Sequence, residues 1–332
     1  MSKSFEFEPR WFVVLIFTLA GIFLGVVGFS IWMFNGNSVF GLQKIHPSKS
    51  NYTFINPLLA VDISERKDFF EDRGLNNKTS KIIDAGLASG NLVQGAVYFK
   101  DVEAGRWFGI NSDVKFSPGL ILKMPLMMAY FKLAEGDGGY LTQELRYTGD
   151  TSGTGAVVPV VSGHVYPVLD LIKSMIIDND DASAEILFDN IDLTALNDVY
   201  SDIGINLKED KLNEDYISLK QASLAYRLLY NATYLNREYS ELALSILHQT
   251  PLTDGMASVL PNDIKIAHRF RTRTLGPSGG NVIESNSCGI VYYPEHPYVL
   301  CVLAMSKNSD VDNFFGQISR LVYNDMKSRY EK

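Results

Sequence analysis

Lys123 stands out for its neighbours. It follows the turn Ser117-Pro118-Gly119 and opens the run Met124-Pro-Leu-Met-Met-Ala-Tyr-Phe131, which carries no other charge. A run apolar on every side reads as a buried helix. An ammonium in its first turn is costly unless it is paired or employed. Acidic partners are available in Asn179-Asp180-Asp181, a stretch that reads equally well as the cap of a helix. Arg269 and Arg271 alternate along Asp263–Arg271, which places them on one face of a strand. Nucleophilic catalysis needs a hydroxyl or thiol beside a base. A hydroxyl three residues ahead of an amine occurs at Ser64 to Lys67 and at Ser112 to Lys115, but neither pair opens an apolar helix and both read as chance. No Cys/His group has metal-ligand spacing, so neither a metal nor a cofactor is expected.

The pattern Phe116-x-x-x-Leu120-x-x-Lys123 ahead of an apolar helix resembles the nucleophile helix of the class A serine β-lactamases and penicillin-recognising enzymes. Those enzymes read Phe-x-x-Ala-Ser-x-x-Lys. The resemblance extends over residues 80–330. The phrase Leu260-Pro-Asn-Asp-Ile-Lys-Ile-Ala-His268 is similar to the family's approach to its third motif. The phrase Gly289-Ile-Val-Tyr-Tyr-Pro-x-x-Pro-Tyr-Val-Leu300 is similar to its last two strands. Carried over residue by residue, the family's serine falls on Leu120, which offers no oxygen, and its lysine on Lys123. The Ser-Asp-Asn motif falls on Asn179, Asp180 and Asp181, where the amide of Asn179 cannot act as acid or base. The Lys-Thr-Gly motif falls on Arg269, Phe270 and Arg271, keeping the charge but losing the hydroxyl and the glycine. The general-base loop, Glu-x-x-Leu-Asn, falls on Glu209-Asp-Lys-Leu212-Asn213. With all three core motifs altered together, the resemblance implies a scaffold that has left the chemistry. Lys123 is then expected to be held by Asp181 or Asp180. Lys123, Asp181, Arg269 and Arg271 become candidates for binding a carboxylate or peptidoglycan-like ligand.

The elements that would position these residues form an α+β pattern. Thr79–Ala88 reads as a helix, and Leu92–Lys100 with Arg106–Ile110 as a hairpin turning at Glu103-Ala-Gly105. The middle of the chain is helical at Pro167–Ile177, Asp181–Phe188, Leu193–Ile203, Ser218–Asn231 and Glu238–His248. Ser218 and Gln221 suggest a capping box. Strand character returns at Asp263–Arg271, Gly289–Tyr293 and Tyr298–Ala304. Asp310–Arg329 reads as a last helix with Asp310 as its cap. The expected fold is β-lactamase-like. An antiparallel sheet (residues 78–116 and 250–332) is flanked by helices and carries a helical subdomain (117–249). Cys288 and Cys301 fall on neighbouring strands, slightly out of register, which leaves their pairing open.

Ahead of this domain, residues 1–10 are polar and residues 11–34 carry no charge. That length spans a bilayer as a helix. Trp11 and Trp32 stand near its ends as interfacial anchors do. The run closes on Ile-Trp-Met-Phe-Asn-Gly, a poor cleavage site, which favours a retained transmembrane anchor over a signal peptide. Residues 35–77 read as a stalk with a short helix near Ile63–Arg73. Gly21 and Gly25 would allow close helix approach and a homodimer. The net charge of −8 argues against nucleic acid. The sequence thus predicts a single-pass protein with a cytoplasmic N-terminus and an inactive β-lactamase-like domain outside. The rivals are a working serine hydrolase with an unusual nucleophile (Ser117, or Ser152 of the Thr151–Gly155 loop) and a dimerising structural protein of the envelope.

Overall fold

The computed structural model describes residues 52–57, 70–116, 123–149, 160–205, 217–275, 282–307 and 311–331. Within these the two ends of the chain build one sheet. Strands β1 (Phe70–Glu71), β2 (Gln94–Asp101) and β3 (Arg106–Ile110) join β8 (Ile266–Thr274), β9 (Ile283–Val291) and β10 (Tyr298–Ser306) in the order β1-β3-β2-β10-β9-β8. The sheet is not wholly antiparallel, as β1 runs parallel to β3. A helix and β2 intervene between those two strands, and such a crossover permits parallel pairing where a tight hairpin does not.

Central β10 is buried along almost its whole length. Its side chains alternate between two cores. Val299, Cys301 and Leu303 face one core, with Ala96, Tyr98, Ala267 and Ile290 from neighbouring strands. Leu300, Val302 and Ala304 face the other, with Val97, Phe99 and Ile266. The second core is closed by α1 (Arg73–Ala88) through Leu75 and Ile83, and by α8 (Asp312–Tyr330) through Phe315, Ile318, Val322 and Met326. The first is closed by the helical subdomain: α2 (Lys123–Gly136), α3 (Val168–Ile177), α4 (Asp181–Asn190), α5 (Leu193–Asp202), α6 (Leu219–Tyr230) and α7 (Arg237–His248). Two short ladders complete the fold. Strand β4 (Lys115–Phe116) pairs with β7 (Ile217–Ser218), and β5 (Glu144–Arg146) with β6 (Val165–Pro167).

Helix α2 is buried at every position from Lys123 to Phe131, as its unbroken apolarity requires. Helix α6 has the expected capping box of Ser218 and Gln221. Several boundaries differ from the pattern reading. Helix α1 begins at Arg73 rather than Thr79, because Asp72 accepts from the Leu75 N–H and caps a polar first turn. Strand β9 starts at Ile283 rather than Gly289, adding a polar stretch that cross-strand partners satisfy. Strand β8 runs on to Thr274, paired to Ile283 across that same ladder. Helix α8 starts at Asp312 after Val311, with no side-chain cap. Asp310 lies outside the described residues.

Cys288 and Cys301 stand directly opposite in the β9–β10 ladder, not out of register, and are joined by a disulfide. Among the described residues no helix is long and apolar enough to cross a membrane. The expected span 11–34, with Gly21 and Gly25, lies outside them. So do Leu120, Ser117, the Thr151–Gly155 loop, Glu209 to Asn213, Ser64 and Lys67.

Candidate functional site

The sequence-predicted charges meet where α2, the α3–α4 junction and edge strand β8 converge. Helix α3 ends at Ile177, and α4 begins after Asp180. Between them Asn179 adopts a left-handed backbone, φ 59°, which asparagine tolerates better than most residues. That turn aims both the carbonyl and the side chain of Asn179 at Lys123. Lys123 Nζ donates to Asn179 O at 2.9 Å and to Asn179 Oδ1 at 3.0 Å, and pairs with Asp181 Oδ1 at 2.6 Å. An ammonium has three N–H donors and no acceptor. These three contacts use all of them.

Arg269 reaches the same amide from the strand side. Its Nη2 donates to Asn179 Oδ1 at 2.9 Å, and its Nη1 to the carbonyls of Met175 (3.3 Å) and Ile176. Those carbonyls belong to the last turn of α3, which has no intrahelical partner for them. Helix α3 carries no basic residue in that turn. The guanidinium supplies the missing donors and the favoured charge at a helix C-terminus. This role was not read from the sequence, because its acceptors are main-chain atoms. The signal was a helix end without a cation of its own.

Asn179-Asp180-Asp181 therefore divides its duties. Asp180 is fully buried and is a cap. It accepts from the N–H groups of Ala182 and Ser183 at 3.3 and 2.9 Å and from the Ser183 hydroxyl at 2.5 Å. Asp181 is the partner of Lys123, yet its side chain is 85% exposed while that of Lys123 is 7% exposed. The pair is a buried cation met by a carboxylate in water, not the buried ion pair the sequence suggested.

Burial pulls the Lys123 amine below its usual range, and the contact with Asp181 opposes that pull. Burial also draws the Arg269 guanidinium down to about 10, with Tyr226 and Asp181 opposing, and it stays charged at physiological pH.

Along β8 the odd positions share the face of this cleft and the even positions do not. Phe270 faces the far core and meets Phe315 edge-on at 5.7 Å. It does not line the cleft, so its side chain cannot substitute there for a hydroxyl. Arg273 forms a bidentate pair with buried Glu284, at 2.7 and 3.1 Å. Arg271, between them, is half-buried and makes no hydrogen bond or ion pair with a described residue. Burial lowers its pKa, and neighbouring Arg273 adds to that. Ser112 and Lys115 form no site: Ser112 is buried beside Gly109, and Lys115 donates to Gln221. No group of His, Cys, Asp and Glu among the described residues could hold a metal ion.

The fold matches a known family. Residues 78–326 match the Beta-lactamase2 family, described as the beta-lactamase enzyme family, and the chain belongs to it. Solved structures agree in fold. PBP-A, in a mutant acyl-enzyme complex with penicillin G, is 18% identical with a TM-score of 0.66 over 78% of this chain and 98% of its own. A β-lactamase from Sphaerobacter thermophilus is 20% identical with a TM-score of 0.64, over 75% and 96%. A class A β-lactamase from Bacteroides cellulosilyticus is 17% identical with a TM-score of 0.64, over 76% and 99%. No curated protein matches the chain.

Proposed function

We propose that this protein is a non-catalytic member of its family, anchored in a membrane by residues 11–34, whose cleft binds an anionic ligand without covalent chemistry. The observation that carries the reading is the coordination of Lys123. With three acceptors on its three N–H groups, the amine is a protonated structural cation and has no free lone pair to take a proton from a nucleophile. Leu120 at the family's serine position supports it. Arg269 is likewise committed to protein acceptors. Of the four sequence candidates, Lys123, Asp181, Arg269 and Arg271, only Arg271 is a cation with no acceptor among the described residues. It is the residue for a ligand carboxylate, which a guanidinium can grip with two parallel hydrogen bonds. The Cys288–Cys301 disulfide supports an oxidising compartment, as expected for a domain outside the cell membrane.

The test is intact mass of the full-length protein after saturation with a fluorescent penicillin. No adduct is expected. A single acyl adduct on a serine would overturn the reading in favour of a hydrolase, and peptide mapping would show whether Ser117 or Ser152 is the nucleophile. In parallel, thermal-shift screening of carboxylate-terminated peptides should yield a ligand whose stabilisation is lost in Arg271→Ala.

A further inference from the structure

Residues 52–57 belong by sequence to the stalk ahead of the domain, and a stalk needs only length. The structure holds them more tightly. The carboxylate of Glu241, on α7, accepts from three successive main-chain N–H groups: Thr53 at 2.5 Å, Phe54 at 2.7 Å and Ile55 at 3.0 Å. The next N–H, of Asn56, donates to the Tyr230 carbonyl at the end of α6 at 2.7 Å. The Asn56 side-chain amide donates to Asn231 Oδ1 at 3.2 Å. Side chains complete the grip. Phe54 and Ile55 are buried in the core shared with the helical subdomain. The Phe54 ring meets His248 at 5.0 Å and Tyr292 edge-on at 5.4 Å, and the Lys265 ammonium stands 5.6 Å from its centroid.

Successive N–H groups converging on one anion form a recognised anion cradle, and hydrogen bonds to a charged acceptor are the stronger kind. Here the anion is the protein's own, nearly two hundred residues away in sequence, so the contact is tertiary rather than a local turn.

We infer that residues 52–57 are a strap clamped by Glu241 into the groove formed by α6, α7 and the strand ends beside Lys265 and Tyr292. Among the described residues, the chain is thereby fixed to the domain at α6 and α7 ahead of α1. His248, against which Phe54 packs, has Nδ1 2.9 Å from the carbonyl of Ile266, the first residue of β8. The strap thus leans on the strand that carries Arg269 and Arg271. None of this depends on whether the cleft is catalytic or on what it binds.

Amide hydrogen exchange on the full-length protein tests the strap. The amides of Thr53, Phe54 and Ile55 should exchange at least about 100-fold slower than unstructured amides, as for stably bonded positions. Glu241→Ala should return them to the unstructured rate while β9 and β10 keep their protection. Glu241→Gln, which retains one carbonyl oxygen, should fall between. Unprotected amides in the wild type, or protection unchanged in Glu241→Ala, would overturn the inference. Should Glu241→Ala unfold the whole domain, the wild-type rates still decide.

Discussion

Asn179 serves two cations with one amide oxygen and a third contact with its main-chain carbonyl, and it holds them from a left-handed backbone position. That makes it worth more than the carboxylate next to it. Removing the Asp181 side chain exposes Lys123 to water that is already at hand, since Asp181 is 85% exposed. Such surface-facing pairs contribute about 1 kcal/mol or less. Removing the Asn179 side chain takes an acceptor from two buried donors at once; each keeps other acceptors, so the loss sits at about 1–3 kcal/mol for an unsatisfied buried donor and not at the larger cost of a fully stranded charge. Glycine is the fair substitution, because it accepts the positive φ without strain. Asn179→Gly should therefore lower stability by about 2–3 kcal/mol and Asp181→Ala by no more than about 1 kcal/mol, as read by urea unfolding of the two variants beside the wild type. A larger loss in Asp181→Ala would mean that the ion pair, not the amide, holds the cleft. The identity of these residues as a cluster was legible in the sequence through the spacing that resembles the family. Which acidic residue would cap and which would pair was not, since both are aspartates one position apart on either side of a helix start.

Elements are tied across the second core by charges too far apart in the chain for spacing to connect them. Arg106, on β3, pairs with Asp72 at the cap of α1 (2.7 Å), Asp325 of α8 (3.4 Å) and Asp101 of β2 (3.6 Å), and its side chain is 4% exposed. Arg329 adds bonds to Asp72 and Asp325, and Tyr330 donates to Asp101. Helices from the two ends of the chain are thus joined through one guanidinium. Replacing Arg106 by leucine leaves three buried carboxylates short of a counter-charge. Stranding one buried charge by removing its partner typically costs about 3–5 kcal/mol. Arg106→Leu should therefore lower unfolding stability by at least that much, while the reverse loss, Arg329→Leu at a 41% exposed side chain, should cost far less. Equal losses in the two would show that the partly exposed arginine shares the load. Strand β9 teaches the complementary lesson. Ile283-Glu-Ser-Asn-Ser-Cys shows no strand pattern, because its polar residues break any apolar alternation, yet all but Ile283 are buried. Glu284 is met by Arg273, Ser285 by Thr272, and Ser287 accepts from the Met256 N–H. Periodicity shows strands that bury carbon. It misses strands whose polar side chains are satisfied only by distant partners.

At the scale of the molecule, the first and last strands among the described residues lie in one sheet and the middle forms the helical subdomain, so the cleft arises at the seam between them. This much was legible, because element type followed from apolar period and the order of elements resembled a known family. The register within the sheet was not, because it depends on which residues of β9 and β10 face each other. That register places Cys288 opposite Cys301, in the first core on the face that also carries Arg269. The disulfide closes a loop with a sequence separation of 13, for which chain entropy predicts about 3 kcal/mol of stabilisation by restricting the unfolded chain. Both cysteines are buried, so the folded protein should resist alkylation whatever their redox state. The informative measurement is alkylation after denaturation of protein isolated from cells without reductant. No adduct is expected unless reductant is added, when two should appear, and the double variant Cys288→Ala, Cys301→Ala should unfold about 2–3 kcal/mol more easily. Two adducts without reductant would place the domain in a reducing compartment and remove the disulfide's support for an external location. The packing of β9 on β10 would then rest on the apolar ladder alone.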